Sequence, residues 1–129
     1  MTNESFATES VETSGNVIVV YTDAGFNEFC WWVIDAGGKV IDVGRHKAIG
    51  GSLHLEALAL AFVLSRLVAM GLHNVVVHWF TDARPIIDML EGRVRPRKPT
   101  MAWVISQITW TAHKHGIKII PHYDNNFDC

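Results

Sequence analysis

Residues 17–22 (VIVVYT) constrain the fold more than any other stretch of the chain. Side chains of a strand alternate between its two faces, so a strand with one face in water shows an alternating pattern. This run is apolar and β-favouring almost without interruption. It belongs in the middle of a sheet covered on both faces, which is the habit of α/β proteins.

The rest of the chain supplies the partners. Residues 29–35 (FCWWVID) and 39–47 (KVIDVGRHK) read as two further strands, joined by the tight turn Ala36-Gly37-Gly38 into an antiparallel hairpin. At residues 53–70 the apolar period changes. The stretch is rich in Ala and Leu and stops at Gly71, which predicts a helix of about four to five turns. It is apolar over most of its circumference and should be heavily buried. Residues 74–80 (NVVVHWF) predict a fourth strand, and a short helix over 84–91 ends near Gly92. The basic, proline-punctuated connection 93–98 (RVRPRK) leads to a helix over 100–115 closed by Gly116, and 117–123 (IKIIPHY) form a fifth strand that breaks at Pro121. The expected order is β-β-β-α-β-α-α-β. The later strand–helix–strand units should be parallel with right-handed crossovers, giving a mixed sheet with helices on both faces.

The chain of 129 residues suits one domain, here residues 17–129, preceded by a loose polar leader over 1–16. A charged fraction of 19% and a net charge of −2 fit a globular protein and give bulk charge no vote on nucleic-acid binding. That depends on where the positive residues lie. No basic-then-apolar targeting segment opens the sequence, and the longest apolar run, 55–64, is shorter than the roughly 20 residues a bilayer span needs. The expectation is a cytoplasmic protein with no membrane part, in which Cys30 and Cys129 are reduced thiols. None of the seven histidines pairs with another at zinc-ligand spacing within one element; His113 and His115 are two apart on a helix and do not face each other.

Three carboxylates stand out. Asp23 (YTDAG) directly follows the first strand, and Asp82 (HWFTDA) directly follows the fourth. A lone Asp at a strand end is commonly a turn or cap residue. Glu56 (HLEALAL) is harder to set aside, being the only acidic residue in a long apolar helix. A carboxylate there is costly unless paired or metal-bound, although the helix dipole near its N-terminus offsets part of that cost. If the first and fourth strands are neighbours, Asp23 and Asp82 emerge side by side at the sheet end where open α/β folds bind ligands. Their repulsion would force a proton onto one unless a cation such as Mg²⁺ intervened.

YTDAG, the Glu of HLEALAL and FTDA resemble three motifs of the ribonuclease H family (type 1-like), in the same order and on the same elements, and the resemblance runs from residue 17 to 128. It implies a five-stranded sheet in the order 3-2-1-4-5 with strand 2 antiparallel. Asp23, Glu56 and Asp82 would be catalytic and would bind Mg²⁺, with Mn²⁺ as a substitute. The expected reaction is hydrolysis of the RNA strand of RNA–DNA hybrids. Two ions would share Asp23, one activating a water and the other stabilising the leaving 3′ oxygen; Glu56 would reach a 2′-hydroxyl, and the product would carry a 5′ phosphate. The family's fourth carboxylate lies beyond strand five. IPHYDNNFDC departs from its pattern there, leaving Asp128 first and Asp124 second, and no segment matches the family's closing helix. That departure implies exposed apolar sheet surface, hence a homodimer or a binding partner. His122 is the counterpart of a family histidine in the loop after the last strand, which aids proton transfer or product release.

The basic cluster Arg93, Arg95, Arg97 and Lys98, with Arg84 behind Asp82, is the expected substrate-binding side; Arg45 and Lys47 lie near the end of the third strand. The five tryptophans are expected mostly in the core or on sheet faces, with one or two available to a nucleic acid. Rival readings are a degenerate domain that binds without cutting and a DNA-processing enzyme of the integrase, transposase or resolvase kind.

Overall fold

A computed structural model describes residues 16–129, so the leader expected over 1–16 lies outside the described residues save its last. The strands are β1 (Val17–Gly25), β2 (Glu28–Asp35), β3 (Val40–Lys47), β4 (Val76–Thr81) and β5 (Lys118–Tyr123); the helices are α1 (Ser52–Ala69), α2 (Arg84–Leu90) and α3 (Pro99–Lys114). The sheet order is β3-β2-β1-β4-β5. β2 runs antiparallel to β1 and β3, whereas β1, β4 and β5 are parallel. Sheet order, strand directions and element order all match the sequence expectation.

The core forms on one side of the sheet. Ile18 and Val20 of β1, Phe29, Trp31 and Val33 of β2, and Val77 and Trp79 of β4 are buried there against Leu55, Leu60, Val63, Leu64 and Leu67 of α1. Ile86 of α2 and Val104 and Ile108 of α3 complete the same cluster. α1 is long and apolar enough that length and composition alone would let it cross a bilayer. Here its buried residues belong to the core under the sheet. α1 closes at Gly71 (φ 83°) with paired bonds from Leu72 N–H to Leu67 O and from Gly71 N–H to Val68 O. This left-handed closure is open to glycine at little steric cost. α2 and α3 end with the same pair of bonds, at Gly92 and Gly116.

The opposite face differs from expectation. Tyr21, Phe80 and His122 stack on one another there, and Phe127 comes down beside Tyr21 and Trp32. All three described helices contribute to the core on the first face, so helices on both faces give way to helices on one and a carpet of rings on the other. The physical reason lies in β1 itself. Val19 and Tyr21 needed apolar company, and ring stacking plus the segment after β5 gives them enough to be half-buried. Trp32 at the margin remains 47% exposed.

The second departure concerns the cysteines. Cys30 of β2 and Cys129 form a disulfide, with Cα atoms 5.8 Å apart across a sequence separation of 99 residues. Reduced thiols were expected from a cytoplasmic setting and from the place of Cys30 in an apolar strand, and the bond overturns that expectation. Residues 124–129 bring Cys129 back across the sheet to Cys30.

Gly44 of β3 lies against the Trp31 indole so closely that an added Cβ would fall 2.5 Å from Trp31 Cζ2. Gly44→Ala should therefore force a buried ring to move and lower stability by about 1–3 kcal/mol. Urea unfolding monitored by tryptophan fluorescence measures this; an unchanged midpoint would mean that β3 and Trp31 are not packed this tightly.

Candidate active site

The parallel pairing of β1 with β4 sets Tyr21 beside Phe80. Two residues further along both strands stand Asp23 and Asp82, so the register delivers both carboxylates to one sheet end. α1 then crosses beneath and presents Glu56 from its second turn. Ligand oxygens of Asp23, Glu56 and Asp82 all lie within 4.8 Å of one another. The three are graded in exposure, Glu56 being only 4% exposed, Asp23 half-buried and Asp82 open to solvent.

Glu56 is held in place from the sheet rather than by its own helix. Its Oε2 accepts the Ala24 N–H at 3.0 Å, and its Oε1 accepts the Thr81 hydroxyl at 3.4 Å. Thr81 Oγ1 in turn accepts the Ala83 N–H at 3.1 Å. On the neighbouring strand Thr22, also buried, accepts the Trp79 indole N–H at 2.8 Å. Ala24, Thr22 and Thr81 were not singled out from the sequence. The signal was the repeated Thr-Asp pair of YTDA and FTDA, since alternation along a strand turns the threonine into the core when the aspartate points the other way.

Burial pushes the Glu56 carboxyl up to about 8, and repulsion from Asp82 and Asp23 adds to the rise, while the Ala24 amide opposes it. Asp23 is also raised, first by burial and then by Asp82, against hydrogen bonds that favour its ionised form, chiefly from the Cys129 N–H. Such a cluster stores repulsion that a cation can relieve. The donor set is oxygen only, as Mg²⁺ and Mn²⁺ prefer. An all-oxygen group gathered within 4.8 Å, with one member buried and raised first by that burial and then by its neighbours, fits such an ion.

The remaining expected site residues distribute unevenly. Asp124 and Asp128 are outside the three-carboxylate group. Asp124 Oδ1 accepts the Asn126 N–H at 3.0 Å, and its own N–H continues the β4–β5 pairing to Thr81 O. Asp128 precedes Cys129, whose N–H donates to Asp23 Oδ2 at 3.1 Å. His122 lies within β5 rather than in a loop after it, with Nε2 2.9 Å from Nδ1 of His78. Arg84 covers the Tyr123 ring at 4.1 Å. Arg93 is held by Asp88 and Glu91, whereas Arg95, Arg97 and Lys98 line an open groove of about 540 Å³ with Leu53 and His54 of α1. That groove meets the end of α1 that carries Glu56. Trp31 and Trp79 are core, while Trp103 and Trp110 of α3 are exposed.

No protein-family model and no curated protein matches the chain. Solved structures do. Ribonuclease H1 from the halophilic archaeon Halobacterium salinarum NRC-1 superposes with a TM-score of 0.75 at 13% identity, covering 85% of this chain and 86% of that one. LC11-RNase H1 in complex with RNA/DNA hybrid gives 0.77 at 17% identity, covering 84% and 86%. The N-terminal RNase H domain of rv2228c from Mycobacterium tuberculosis gives 0.72 at 17% identity, covering 85% and 83%.

The raised carboxyls make a stability prediction. A group whose folded pKa exceeds its unfolded value binds more protons when folded, so it favours folding at low pH and loses that contribution as pH rises through the folded value. Without divalent metal the protein should therefore lose stability between about pH 5 and 8. Glu56→Gln should remove most of that slope, flattening a change of a few °C in Tm. Scanning calorimetry with chelator present measures it, and equal slopes for both proteins would contradict the buried, raised Glu56. The fold that arranges these carboxylates is that of ribonuclease H.

Proposed function

We propose that this protein is a metal-dependent endonuclease that hydrolyses the RNA strand of RNA–DNA hybrids. One observation carries the reading: a buried glutamate and two strand-end aspartates converge within 4.8 Å at the carboxyl end of adjacent parallel strands. A structural role alone gives no reason to crowd three acids there, with one of them raised to about 8.

Bound Mg²⁺ or Mn²⁺ would supply a deprotonated water and charge neutralisation at phosphorus and at the leaving 3′ oxygen. Asp23 and Asp82, at the ends of adjacent parallel strands, would hold the ions, with Asp23 proposed as the shared ligand. Glu56 is oriented by the Ala24 amide and the Thr81 hydroxyl; it would hold one ion and, as the family resemblance implies, meet a 2′-hydroxyl. Asp128, one residue before the Asp23 contact, is proposed as the fourth carboxylate ahead of Asp124, whose side chain is engaged in its own turn. Arg95, Arg97 and Lys98 would bind backbone phosphates along the groove, and Arg84, over the Tyr123 ring, is proposed as a further phosphate contact outside it. Arg93 contributes less because it is already paired. His122, stacked on Phe80 within β5, would assist proton transfer or product release only from that face. The open ring-covered face bearing exposed Trp32 would be the homodimer surface, and a cytoplasmic setting is proposed with it.

Incubation with labelled RNA–DNA hybrid, double-stranded RNA, duplex DNA and single strands in Mg²⁺ or Mn²⁺ tests the reading. Cleavage of the hybrid RNA strand leaving 5′ phosphates is expected, reduced more than about a hundredfold by Asp23→Asn or Asp82→Asn. Cleavage that survives both substitutions, or binding without any cleavage, would overturn it; cutting of duplex DNA alone would favour the integrase-like reading. Asp128→Asn should lower the rate more than Asp124→Asn, and the reverse order would reassign the fourth carboxylate. Arg97→Ala with Lys98→Ala should weaken hybrid binding and reduce its salt slope by about two, one unit per phosphate contact.

A further inference from the structure

The disulfide has no part in the reaction described above, yet it ends at the reactive carboxylates. Asp23 and Cys30 are cross-strand partners in the β1–β2 pairing. Residues 124–129 start beside β4, where the Asp124 N–H meets Thr81 O, and finish at β2, where Cys129 bonds to Cys30. Between these points Phe127 lies over Tyr21 of β1 and Trp32 of β2, with ring centroids 5.5 and 6.1 Å apart. The segment therefore passes over the strands whose ends carry Asp82 and Asp23.

At its far end the Cys129 N–H donates to Asp23 Oδ2 at 3.1 Å, and Cys129 Sγ lies 3.3 Å from the Asp23 carbonyl oxygen. Arg45 Nη2 donates to Cys129 O at 3.0 Å. These polar contacts are solvent-exposed, and contacts of that kind hold a short segment weakly by themselves. The covalent bond to Cys30 is what makes them persistent. Cys30 is buried while Cys129 is exposed, so the bridge offers a reductant the Cys129 sulfur.

We propose that Cys30–Cys129 is a redox latch on the carboxylate site. Bridged, it keeps the Cys129 amide on Asp23 Oδ2 and leaves Asp23 one oxygen short as a shared metal ligand. Opened, it lets residues 124–129 lift and frees both oxygens for cations. The opening step is thiol–disulfide exchange with a dithiol. One thiolate attacks Cys129 Sγ and releases the Cys30 thiolate; the second thiol then displaces Cys129, and two electrons and two protons pass from the dithiol to the bridge. The latch rests on the metal-binding reading of Asp23, Glu56 and Asp82 and adds to it a control by thiol redox state.

The test compares two preparations of the whole protein, oxidised and reduced, the reduced one desalted from its dithiol. Mass spectrometry after alkylation under denaturing conditions should add no groups to the first and two to the second. Mn²⁺ titration by calorimetry should give on the order of tenfold tighter binding to the reduced form, the scale set by one hydrogen bond to a charged group. Cys129→Ser and Cys30→Ser should match the reduced form whatever the treatment. Amide hydrogen exchange in residues 124–129 should rise on reduction. Equal Mn²⁺ affinities in the two verified forms, unchanged exchange in the segment, or free thiols after oxidising treatment would each overturn the latch while leaving the nuclease reading intact. Absence of Mn²⁺ binding in every form would instead overturn the metal reading, and the latch with it.

Discussion

Three carboxyl groups brought within 4.8 Å of one another, with one of them out of water, form the constraint around which the rest of this structure is arranged. Glu56 is almost wholly buried, its carboxyl is pushed up to about 8, and both its oxygens are met by donors from the sheet. Burying a carboxylate is expensive; burial makes Glu56 hold a proton more tightly than a free carboxyl does, and a bound cation would offset the same cost. The β1–β4 register, the threonines that precede both aspartates and the entry of α1 beneath them all serve that one arrangement.

Much of this was legible in the sequence because it rests on local signals. The apolar run of β1 demanded a central strand, the glycines after each helix marked where it stops, and Glu56 stood out as a lone acid on an apolar helix. Long periodic segments and their punctuation survive tertiary packing, and three carboxylates on three such elements could be placed together before any coordinates. The resemblance of their motifs to ribonuclease H then gave the sheet order that the structure has.

What was not legible depends on non-local contacts. Cys30 and Cys129 are 99 residues apart, and nothing in their surroundings announces a bond. The apolar face of β1 was assigned a helix because its hydrophobicity required cover. Stacked rings of Tyr21, Phe80 and His122 are a cover that periodicity cannot distinguish from a helix. The family resemblance put His122 in a loop and the fifth strand was expected to break at Pro121, yet β5 continues through both to Tyr123, with Pro121 beside Trp79 in the β4–β5 register. β5 is an edge strand, where a missing N–H is tolerated.

On the metal-dependent reading proposed above, a divalent cation replaces a proton at Glu56. Calorimetric Mn²⁺ titrations at pH 7 in buffers of different ionisation enthalpy count the protons displaced on binding. Release of close to one proton per site is expected from the wild type, falling towards zero in Glu56→Gln. Saturable binding with no proton release, or the same release from both proteins, would contradict it.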